Sequence, residues 1–431
     1  MIILLKNIKE LVTCRWENAF PKKGKTQNDI GLIKNGTVIL DNDKIIFSGK
    51  QSSLKNFLSK EKIKPDIEID CAKNVVIPGF IDSHSHFVFA GSRENEYEMK
   101  IAGRTYEEIA KAGGGIISTV KAVRKATESQ LLEAGERRIK NFFKFGVTTL
   151  EGKSGYGLDT KSEIKTLRVL NELNRKNSYN LDIIPTFLGA HAVPAGIDKD
   201  EYINEVMYEM IPVIAQKKLA KFIDVFCEKG YFTAKESEKI LQQGKKFGLI
   251  PKLHTDQFNS IGGIEAAINV NAISVDHLEV LNDADIKRIS RYNSSKNFMI
   301  ATLLPGVSYF LDISYQPARK LIENNVPVAL ATDFNPGTAM TENIQIIMSL
   351  ASRMLKMSSE EIINAVTINS AFALNMQNEI GSIQENKQAD LLIFDMESYK
   401  ELVYNFAVNR ISYIIKKGKI YSIDNVMKLI P

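Results

Sequence analysis

Residues 75–86 of the chain read VVIPGFIDSHSH, an apolar run that ends in two histidines separated by one serine. A short run of this kind, rich in β-branched residues, is typical of a buried strand. Alternate residues of a strand point to the same side, so His84 and His86 are expected to project together. The stretch therefore predicts a buried strand that delivers two imidazoles to one place.

Similar apolar runs recur through the middle of the chain, and each is followed by a polar loop and a helical pattern. This alternation of strand and helix indicates a parallel sheet. Eight repeats predict a (β/α)8 barrel of the TIM type, in which functional side chains follow the carboxyl ends of the strands. The eight runs are Val75–Ile81, Val147–Leu150, Ile183–Leu188, Phe222–Phe226, Ile250–Leu253, Ala272–Val275, Phe298–Thr302 and Val326–Ala331.

The positions of the histidines test this barrel. The chain has five histidines, and every one comes at or just after a predicted strand. A single histidine is usually a hydrogen-bonded structural residue, but five at one barrel mouth indicate a functional site. They are His84 and His86 after the first strand, His191 after the third, His254 after the fifth and His277 after the sixth, while Asp333 follows the eighth.

Four of these residues, His84, His86, His254 and Asp333, predict a catalytic metal centre. Neutral imidazole is a common ligand for zinc or iron, and a carboxylate adds negative charge. Three histidines and one aspartate leave a coordination position open for water, and a metal lowers the pKa of bound water to about 7. We expect one metal ion per chain, Zn²⁺ or iron as Fe²⁺/Fe³⁺.

Two further polar residues follow predicted strands. His277 is either a fourth imidazole ligand or a donor to the water and the developing oxyanion, and we favour the second role because the other ligands suffice for one metal. Lys153 follows the second predicted strand rather than the fourth, so it is poorly placed to bridge two metals as a carboxylated lysine. It is expected to be a surface or structural lysine.

The two chain ends differ from the middle, because short strands and turns dominate there. Examples are 36–40 and 44–47 near the start, and 389–394 and 411–415 near the end. Chain ends tend to lie close together in a domain. We therefore expect a small β-sandwich domain from residues 1–75 and 383–431, and a barrel domain from residues 76–382.

Composition excludes several classes of protein. A hydrophobic content of 44% and a charged content of 25% are typical of globular proteins, and the net charge of +5 comes without a basic stripe, which argues against nucleic acid as a partner. Three scattered cysteines indicate a reducing compartment. No apolar stretch is long enough to cross a membrane, so we expect a cytoplasmic protein that does not bind membranes.

Several motifs resemble those of the amidohydrolase superfamily: residues 76–86, then Ala331-Thr332-Asp333, then Gly381-Ser382-Ile383 with 387–391. Within that superfamily the chain is most similar to the imidazolonepropionase family. The segments that carry this narrower likeness are 89–93 with Glu96 and Tyr97, 103–106 leading to 112–116, 151–157, 188–191 and 333–338.

The resemblance implies hydrolysis of 4-imidazolone-5-propanoate to N-formimidoyl-L-glutamate, a step of histidine degradation, by a zinc or iron enzyme that forms a homodimer. It also implies that Arg93 and Tyr156 hold the substrate propionate, with help from Tyr106, and that His191 contacts the ring. Asn335, Gly337 and Thr338 would line the pocket after the last strand. A planar guanidinium suits this task, because it matches a carboxylate with two parallel hydrogen bonds.

Gln257 separates hydrolysis of a cyclic amide from deamination. Many relatives carry glutamate at this position, where a carboxylate can pass a proton to a ring nitrogen. An amide donates and accepts hydrogen bonds but does not exchange protons usefully. We therefore expect Gln257 to contact the substrate and leave proton transfer to Asp333, with possible help from His277.

The mechanism expected from these residues is attack of a metal-activated water on the ring carbonyl. Asp333 orients the water and passes its proton to the leaving ring nitrogen, and His277 stabilises the oxyanion. One alternative is another cyclic amidohydrolase or a heterocycle deaminase of the same superfamily. A second is an inactive barrel that serves as a binding protein, but that requires missing ligands, and none is missing.

Overall fold

The computed structural model describes residues 1–104, 108, 114–294 and 296–428, and its strands form two eight-stranded sheets. In chain order the strands are β1 Ile2–Val12, β2 Leu32–Asp41, β3 Lys44–Lys50, β4 Ile67–Asp70, β5 Val75–Pro78, β6 Phe80–Asp82, β7 Val147–Lys153, β8 Asp182–Ala190, β9 Phe222–Cys227, β10 Ile250–Thr255, β11 Ser274–His277, β12 Ile300–Leu303, β13 Val328–Leu330, β14 Leu391–Phe394, β15 Ile411–Lys416 and β16 Lys419–Ser422.

Strands β6 to β13 form the barrel, and each pairs in parallel with the next one along the chain. The barrel closes just beyond the carboxyl ends of the first and last strands. There the backbone N–H of Asp333 donates to the carbonyl of His84 at 3.0 Å, and that of His86 donates to Phe334 at 2.9 Å. The predicted (β/α)8 barrel is confirmed.

One predicted strand has the wrong extent. The run Val75–Ile81 was expected to be a single barrel strand, but it divides at Gly79. Residues Val75–Pro78 pair with β1 and β14 of the other sheet, and only Phe80–Asp82 joins the barrel. A Cβ at Gly79 would lie 2.3 Å from the Thr148 hydroxyl, so only glycine allows the backbone to cross between the two sheets here. The other seven predicted runs overlap β7 to β13.

The second sheet combines both ends of the chain, in the order β16-β15-β14-β5-β1-β2-β3 with β4 beside β1. An isolated bridge between Lys44 and Gln388 joins the start of β3 to the segment before β14, so the sheet curls back on itself. Ile45 of β3 and Ile415 of β15 accordingly belong to one buried cluster. The expected pairing of terminal strands is therefore present, while the boundaries 1–75 and 383–431 stay a prediction.

Helices cover the barrel, and several begin at side-chain caps that the sequence supplies. The side chains of Thr127, Thr233 and Ser358 each accept a hydrogen bond from the backbone N–H of the third residue of their helix. The side chain of that third residue in turn accepts one from the backbone N–H of the capping residue. The helices are α1 Leu54–Glu61, α2 Glu94–Ile101, α3 Ile116–Lys125, α4 Glu128–Lys144, α5 Thr160–Lys176, α6 Lys199–Glu205, α7 Ile211–Gln216, α8 Ala234–Lys246, α9 Gly263–Val270, α10 Asp283–Tyr292, α11 Pro305–Leu311, α12 Ala318–Glu323, α13 Ile344–Met354, α14 Ser359–Ala365, α15 Ile368–Ala373, α16 Glu401–Tyr404 and α17 Ile423–Lys428.

The main hydrophobic core lies between the barrel strands and these helices. Among the described residues, no helix has both the length and the apolar character needed to cross a membrane.

Candidate active site

Four predicted ligands converge at the carboxyl end of the barrel. Nε2 of His254 lies 3.5 Å from Nε2 of His86. Oδ1 of Asp333 lies 3.3 Å from Nε2 of His84 and 3.4 Å from Nε2 of His86. One ligand atom from each of the three histidines lies within 4.8 Å of the others, and all four side chains are buried. The three imidazoles can therefore share one small cation, and Asp333 lies beside two of them.

The donor atoms fit a metal ion. Within the part of the chain that the structure describes, His84 Nε2 and Asp333 Oδ1 are buried and make no hydrogen bond. Burying a polar atom without a partner costs free energy, so these atoms call for a ligand. Imidazole nitrogens together with a carboxylate oxygen suit zinc or ferrous iron. The residues present therefore fit one divalent metal.

Beneath the histidines lie five buried charged side chains, which we call the charged floor: Glu151, Lys153, Asp224, Lys252 and Asp276. Lys153 Nζ lies 2.7 Å from Asp224 and 3.1 Å from Glu151, and Lys252 Nζ lies 2.8 Å from Glu151. Both ammonium groups also lie within 3.9 Å of Asp276. Each charge of the floor thus has an opposite charge as its neighbour.

The charged floor orients two of the ligand histidines. His84 Nδ1 lies 2.7 Å from Oδ2 of Asp276, and His254 Nδ1 lies 2.9 Å from Oδ2 of Asp224. A carboxylate can only accept a hydrogen bond, so His84 Nδ1 carries a proton and leaves Nε2 to face the metal site. The Asp224 carboxylate beside His254 Nδ1 favours the same tautomer there. The aspartates therefore hold both imidazoles in the tautomer that a metal ligand needs.

These contacts also shift the pKa values of the site. Burial favours the neutral form of Asp333, but the imidazoles of His84 and His86, at 3.3 and 3.4 Å, prevail and hold its pKa well below the usual value. Burial and Lys153 act to lower the pKa of His84, yet Asp276 and Asp333 raise it to about 9, so a metal that bound at Nε2 would displace a proton. Burial lowers the pKa of His86 and of His254. Asp333 is consequently a carboxylate at neutral pH.

His277 lies at the end of β11 with φ +85°, and its Nδ1 is 3.5 Å from Glu279. It forms a second group of possible metal ligands with His84 and Asp333, whose ligand atoms lie within 4.8 Å of one another. This position is compatible with both roles left open by the sequence. The choice between ligand and oxyanion donor stays a prediction.

A cavity of about 300 Å³ opens from the histidines toward solvent. Seven of the predicted substrate contacts line it: Arg93, Tyr156, His191, Gln257, Asn335, Gly337 and Thr338. Tyr106, the remaining predicted contact, lies outside the described residues. The barrel therefore brings the predicted metal ligands and most of the predicted substrate contacts to one cavity.

His191 and Tyr156 form one wall of this cavity. His191 Nδ1 donates to the carbonyl of Gly155 at 2.9 Å, while burial and the neighbouring His86 lower its pKa to about 3. Its ring is therefore neutral and Nε2 is unprotonated at neutral pH. Burial raises the pKa of Tyr156, whose ring centroid lies 5.3 Å from that of His191, so its hydroxyl keeps its proton.

The outer part of the cavity, which we call the substrate end, combines α2 with the loop after β13: Arg93, Glu96, Lys100, Asn335, Gly337 and Thr338. Asn335 connects this loop to the metal site. Its amide nitrogen donates to Oδ2 of Asp333 at 3.0 Å, and its carbonyl accepts the backbone N–H groups of Gly337 and Thr338 at 2.8 and 2.9 Å. Asn335 thus holds both the Asp333 carboxylate and the loop.

Sequence reasoning missed the charged floor as a unit and also missed Lys100. It left Lys153 as a surface or structural residue, and the structure shows a fully buried one. Charged residues within apolar strands were the available signal, as with Asp224 in Phe222–Cys227 and Lys252 in Ile250–Thr255. Lys100 had no such signal, because it lies on an ordinary helix and only the fold brings it to the cavity.

Known proteins resemble the chain in sequence and in fold. A sequence profile of the amidohydrolase family matches residues 195–421. The chain is 44% identical to an imidazolonepropionase of Shouchella clausii over 97% of its length and 92% of that protein. It is 41% identical to one of Alkaliphilus metalliredigens over 97% of both chains.

Solved structures show the same fold at low sequence identity. An adenosine deaminase from Xanthomonas campestris with bound zinc superposes with a TM-score of 0.72 at 13% identity, covering 100% of this chain and 94% of that one. A triazine hydrolase variant gives 0.69 at 13% identity, covering 99% and 98%. The curated relatives decide the family, because they are far more similar in sequence and match nearly end to end: the chain belongs to the imidazolonepropionase family, within the amidohydrolases.

Proposed function

We propose that the protein hydrolyses the ring C–N bond of 4-imidazolone-5-propanoate to give N-formimidoyl-L-glutamate, a step of histidine degradation. One observation carries this proposal: a single cavity has His86, His254 and Asp333 at its inner end and the guanidinium of Arg93 at its outer end. A planar ring that bears a short carboxylate arm matches both ends. Named imidazolonepropionases at 40–44% identity over 96–97% of the chain support the same activity.

In this proposal His84, His86, His254 and Asp333 hold one divalent ion, either zinc or iron. When bound, the ion supplies Lewis-acid activation of water and of the ring carbonyl. Asp333 takes the proton that the attacking water releases and delivers it to the ring nitrogen as the C–N bond breaks. His277 donates to the carbonyl oxygen as negative charge develops there.

The remaining predicted contacts position the substrate. Arg93 and Tyr156 bind the propionate, with Tyr106 in support, and His191 contacts the ring. Asn335, Gly337 and Thr338 close the outer wall, and Asn335 also orients Asp333. Gln257 lines the cavity as an amide that binds the ring by hydrogen bonds, without exchanging protons.

The same amide makes deamination of a heterocycle the weaker alternative, because no ionisable side chain stands at position 257 to protonate a ring nitrogen. An inactive barrel is also disfavoured, since all four predicted ligands are present and close together. The expected homodimer is a proposal that rests on the family resemblance, and the expected cytoplasmic location is one that rests on the scattered cysteines and the lack of a long apolar stretch.

The test is an assay with 4-imidazolone-5-propanoate generated in situ, followed by the loss of ring absorbance and by detection of N-formimidoyl-L-glutamate. Chelation should abolish turnover, and either zinc or ferrous iron should restore it with about one ion per chain. Release of ammonia from guanine or cytosine, without ring opening of the imidazolone, would replace this proposal with deamination. A metal-free protein with no turnover after loading would instead favour a binding protein.

A further inference from the structure

Arg93, the expected anchor of the substrate carboxylate, already has an anionic partner. Its Nε and Nη2 lie 2.8 and 2.7 Å from Oε2 of Glu96, and the Ser118 hydroxyl donates to Oε1 of Glu96 at 3.2 Å. Both side chains of this pair are largely buried, at 13% and 11% exposure. Arg93 and Glu96 together are therefore electrically neutral. The pair can direct a hydrogen bond into the cavity, but it adds no net charge there.

The geometry of Arg93 is restricted further by Gly337. A Cβ at position 337 would lie 2.2 Å from Arg93 Nη1, so the guanidinium packs directly against the glycine backbone. Because Nε and one N–H of Nη2 are engaged by Glu96, the donors left for a ligand are the two N–H groups of Nη1 and the second N–H of Nη2. Arg93 thus serves as a fixed donor.

Lys100 lies on the same face of α2, four residues after Glu96, and also lines the cavity. Its Nζ donates to the carbonyl of Gly337 at 3.3 Å. Across the described ranges, no carboxylate oxygen comes within 4.0 Å of Nζ. Burial and then the charge of Arg93 lower the pKa of Lys100, and the charge of Glu96 offsets them only in part.

We propose that Lys100 supplies the positive charge that selects a carboxylate-bearing substrate, while the neutral Arg93–Glu96 pair supplies the oriented hydrogen bond. This proposal deepens the function proposed above, on which it rests for the identity of the substrate. In this arrangement the carboxylate binds between Lys100 Nζ and Arg93 Nη1. Charge selection and geometric selection are therefore carried out by different residues, Lys100 in the last turn of α2 and Arg93 at its N-cap.

The argument has a simple electrostatic basis. A monoanionic substrate leaves water favourably only when its site carries a compensating positive charge. The Arg93–Glu96 pair acts as a dipole at that distance, whereas Lys100 acts as a full charge. Losing one charge-assisted contact of this kind corresponds to about 10- to 100-fold in affinity.

The experiment compares Lys100→Met and Lys100→Arg with Lys239→Met, which removes the same charge from an exposed position on α8. The probe for binding is imidazole-4-propionate, a carboxylate-bearing ring without the reactive carbonyl, titrated into metal-loaded enzyme by calorimetry. The matched probe is its neutral propanamide. Steady-state kinetics with 4-imidazolone-5-propanoate are measured in parallel, and circular dichroism checks that each variant folds.

We expect Lys100→Met to weaken binding of the acid about 10- to 100-fold and to raise KM more than it lowers kcat, with little change for the amide. Lys100→Arg should stay within a few-fold of wild type, since it keeps the charge. Lys239→Met should bind both probes normally. The salt dependence of acid binding should fall in Lys100→Met, because one ionic contact is lost.

Two outcomes would overturn the proposal: acid binding within twofold of wild type in Lys100→Met, or equal losses for acid and amide. If both Lys100 variants failed to fold, Glu96→Gln would decide the question, because it unmasks the charge of Arg93. Tighter acid binding in that variant, with amide binding unchanged, supports charge selection, and unchanged or weaker acid binding contradicts it. Failure of wild type to open the imidazolone would reject the proposed function alone, since acid binding is measured without turnover.

Discussion

The charged floor and the substrate end carry similar side chains but use them differently. In the floor, Glu151, Lys153, Lys252 and Asp276 are fully buried, and each has an oppositely charged protein neighbour within 4 Å. At the substrate end, Arg93 is paired with Glu96, while Lys100 is half-buried and, among the residues that the structure describes, donates to a backbone carbonyl and has no carboxylate within 4.0 Å. Each charge of the floor is thus paired within the protein, whereas the substrate end has a positive charge that a bound anion would pair.

This difference indicates that one part of the barrel mouth orients the histidines and another part is available to bind a ligand. Every buried charge of the floor is paired, and this pairing fixes the tautomers of His84 and His254. Moving one of these charges would leave another without a partner in a medium of low polarity. A cation without a carboxylate partner is instead available to a ligand. Mutations in the floor should therefore change stability and metal binding, and mutations at the substrate end should change KM.

Asp333 stands between the two regions, so its loss is expected to have the largest effect. Asp333→Asn should keep part of the metal but lose proton transfer, which corresponds to roughly 10²–10⁴ in kcat. The measurement is single-turnover kinetics of metal-loaded enzyme together with metal content per chain. Activity within a few-fold of wild type would remove Asp333 from proton transfer.

In the charged floor, Lys153→Met should leave Asp224 and Glu151 without their shared cation. Breaking a buried ion pair in this way costs about 3–5 kcal/mol of stability. Urea unfolding of the metal-free protein measures this loss of stability. The control is Lys6→Met, which removes a partly exposed ion pair and should leave the urea midpoint unchanged. An unchanged midpoint for Lys153→Met would mean that the floor does not stabilise the fold.

At the substrate end, Arg93→Ala should leave Glu96 uncompensated as well as remove the fixed donor. The loss of one partner of a desolvated pair corresponds to about 2–5 kcal/mol, or roughly 30- to several-thousand-fold in kcat/KM. Metal content should be unchanged, because Arg93 is not a ligand. An equal loss on a ring analogue without the propionate would make Arg93 structural rather than substrate-binding.

Gly337→Ala tests the position of the Arg93 guanidinium without removing its charge. Its new Cβ would meet Arg93 Nη1 at 2.2 Å, so the guanidinium must move while both charges remain. We expect KM to rise about tenfold with metal content unchanged, a loss comparable to one charge-assisted hydrogen bond. If KM were unaffected, the fixed position of Arg93 would not matter for binding.

The smallest effect is expected at Gln257, which belongs to neither region. Gln257→Glu should lower turnover by only a few-fold, since it adds a carboxylate near Asp333, and it should not create a deaminase in a pocket shaped for the propionate. Ammonia release from purines or pyrimidines measures the second point. Detectable deamination by wild type would overturn the interpretation of this position.

Much of the fold could be predicted from the sequence, because the local patterns agree with the rule that functional side chains follow the carboxyl ends of barrel strands. Apolar runs of strand length predicted eight barrel strands, seven of which overlap β7 to β13, and the position of each histidine at or after a strand predicted one common site. The division of Val75–Ile81 at Gly79 was not readable, since both halves are apolar and buried alike. Only the pairing partners of β5 and β6 separate them.

The sequence by itself determined which side chains face the barrel mouth. Side chains alternate along a strand, and parallel strands of a barrel all end at the same face, so both properties follow from the local pattern. Tertiary structure alone decided which charges meet. The contacts of Asp276 with His84, of Lys153 with Asp224 and of Lys100 with Gly337 join residues 192, 71 and 237 positions apart. Such contacts depend on how strands and helices pack, and their energies depend on burial, which no local pattern specifies.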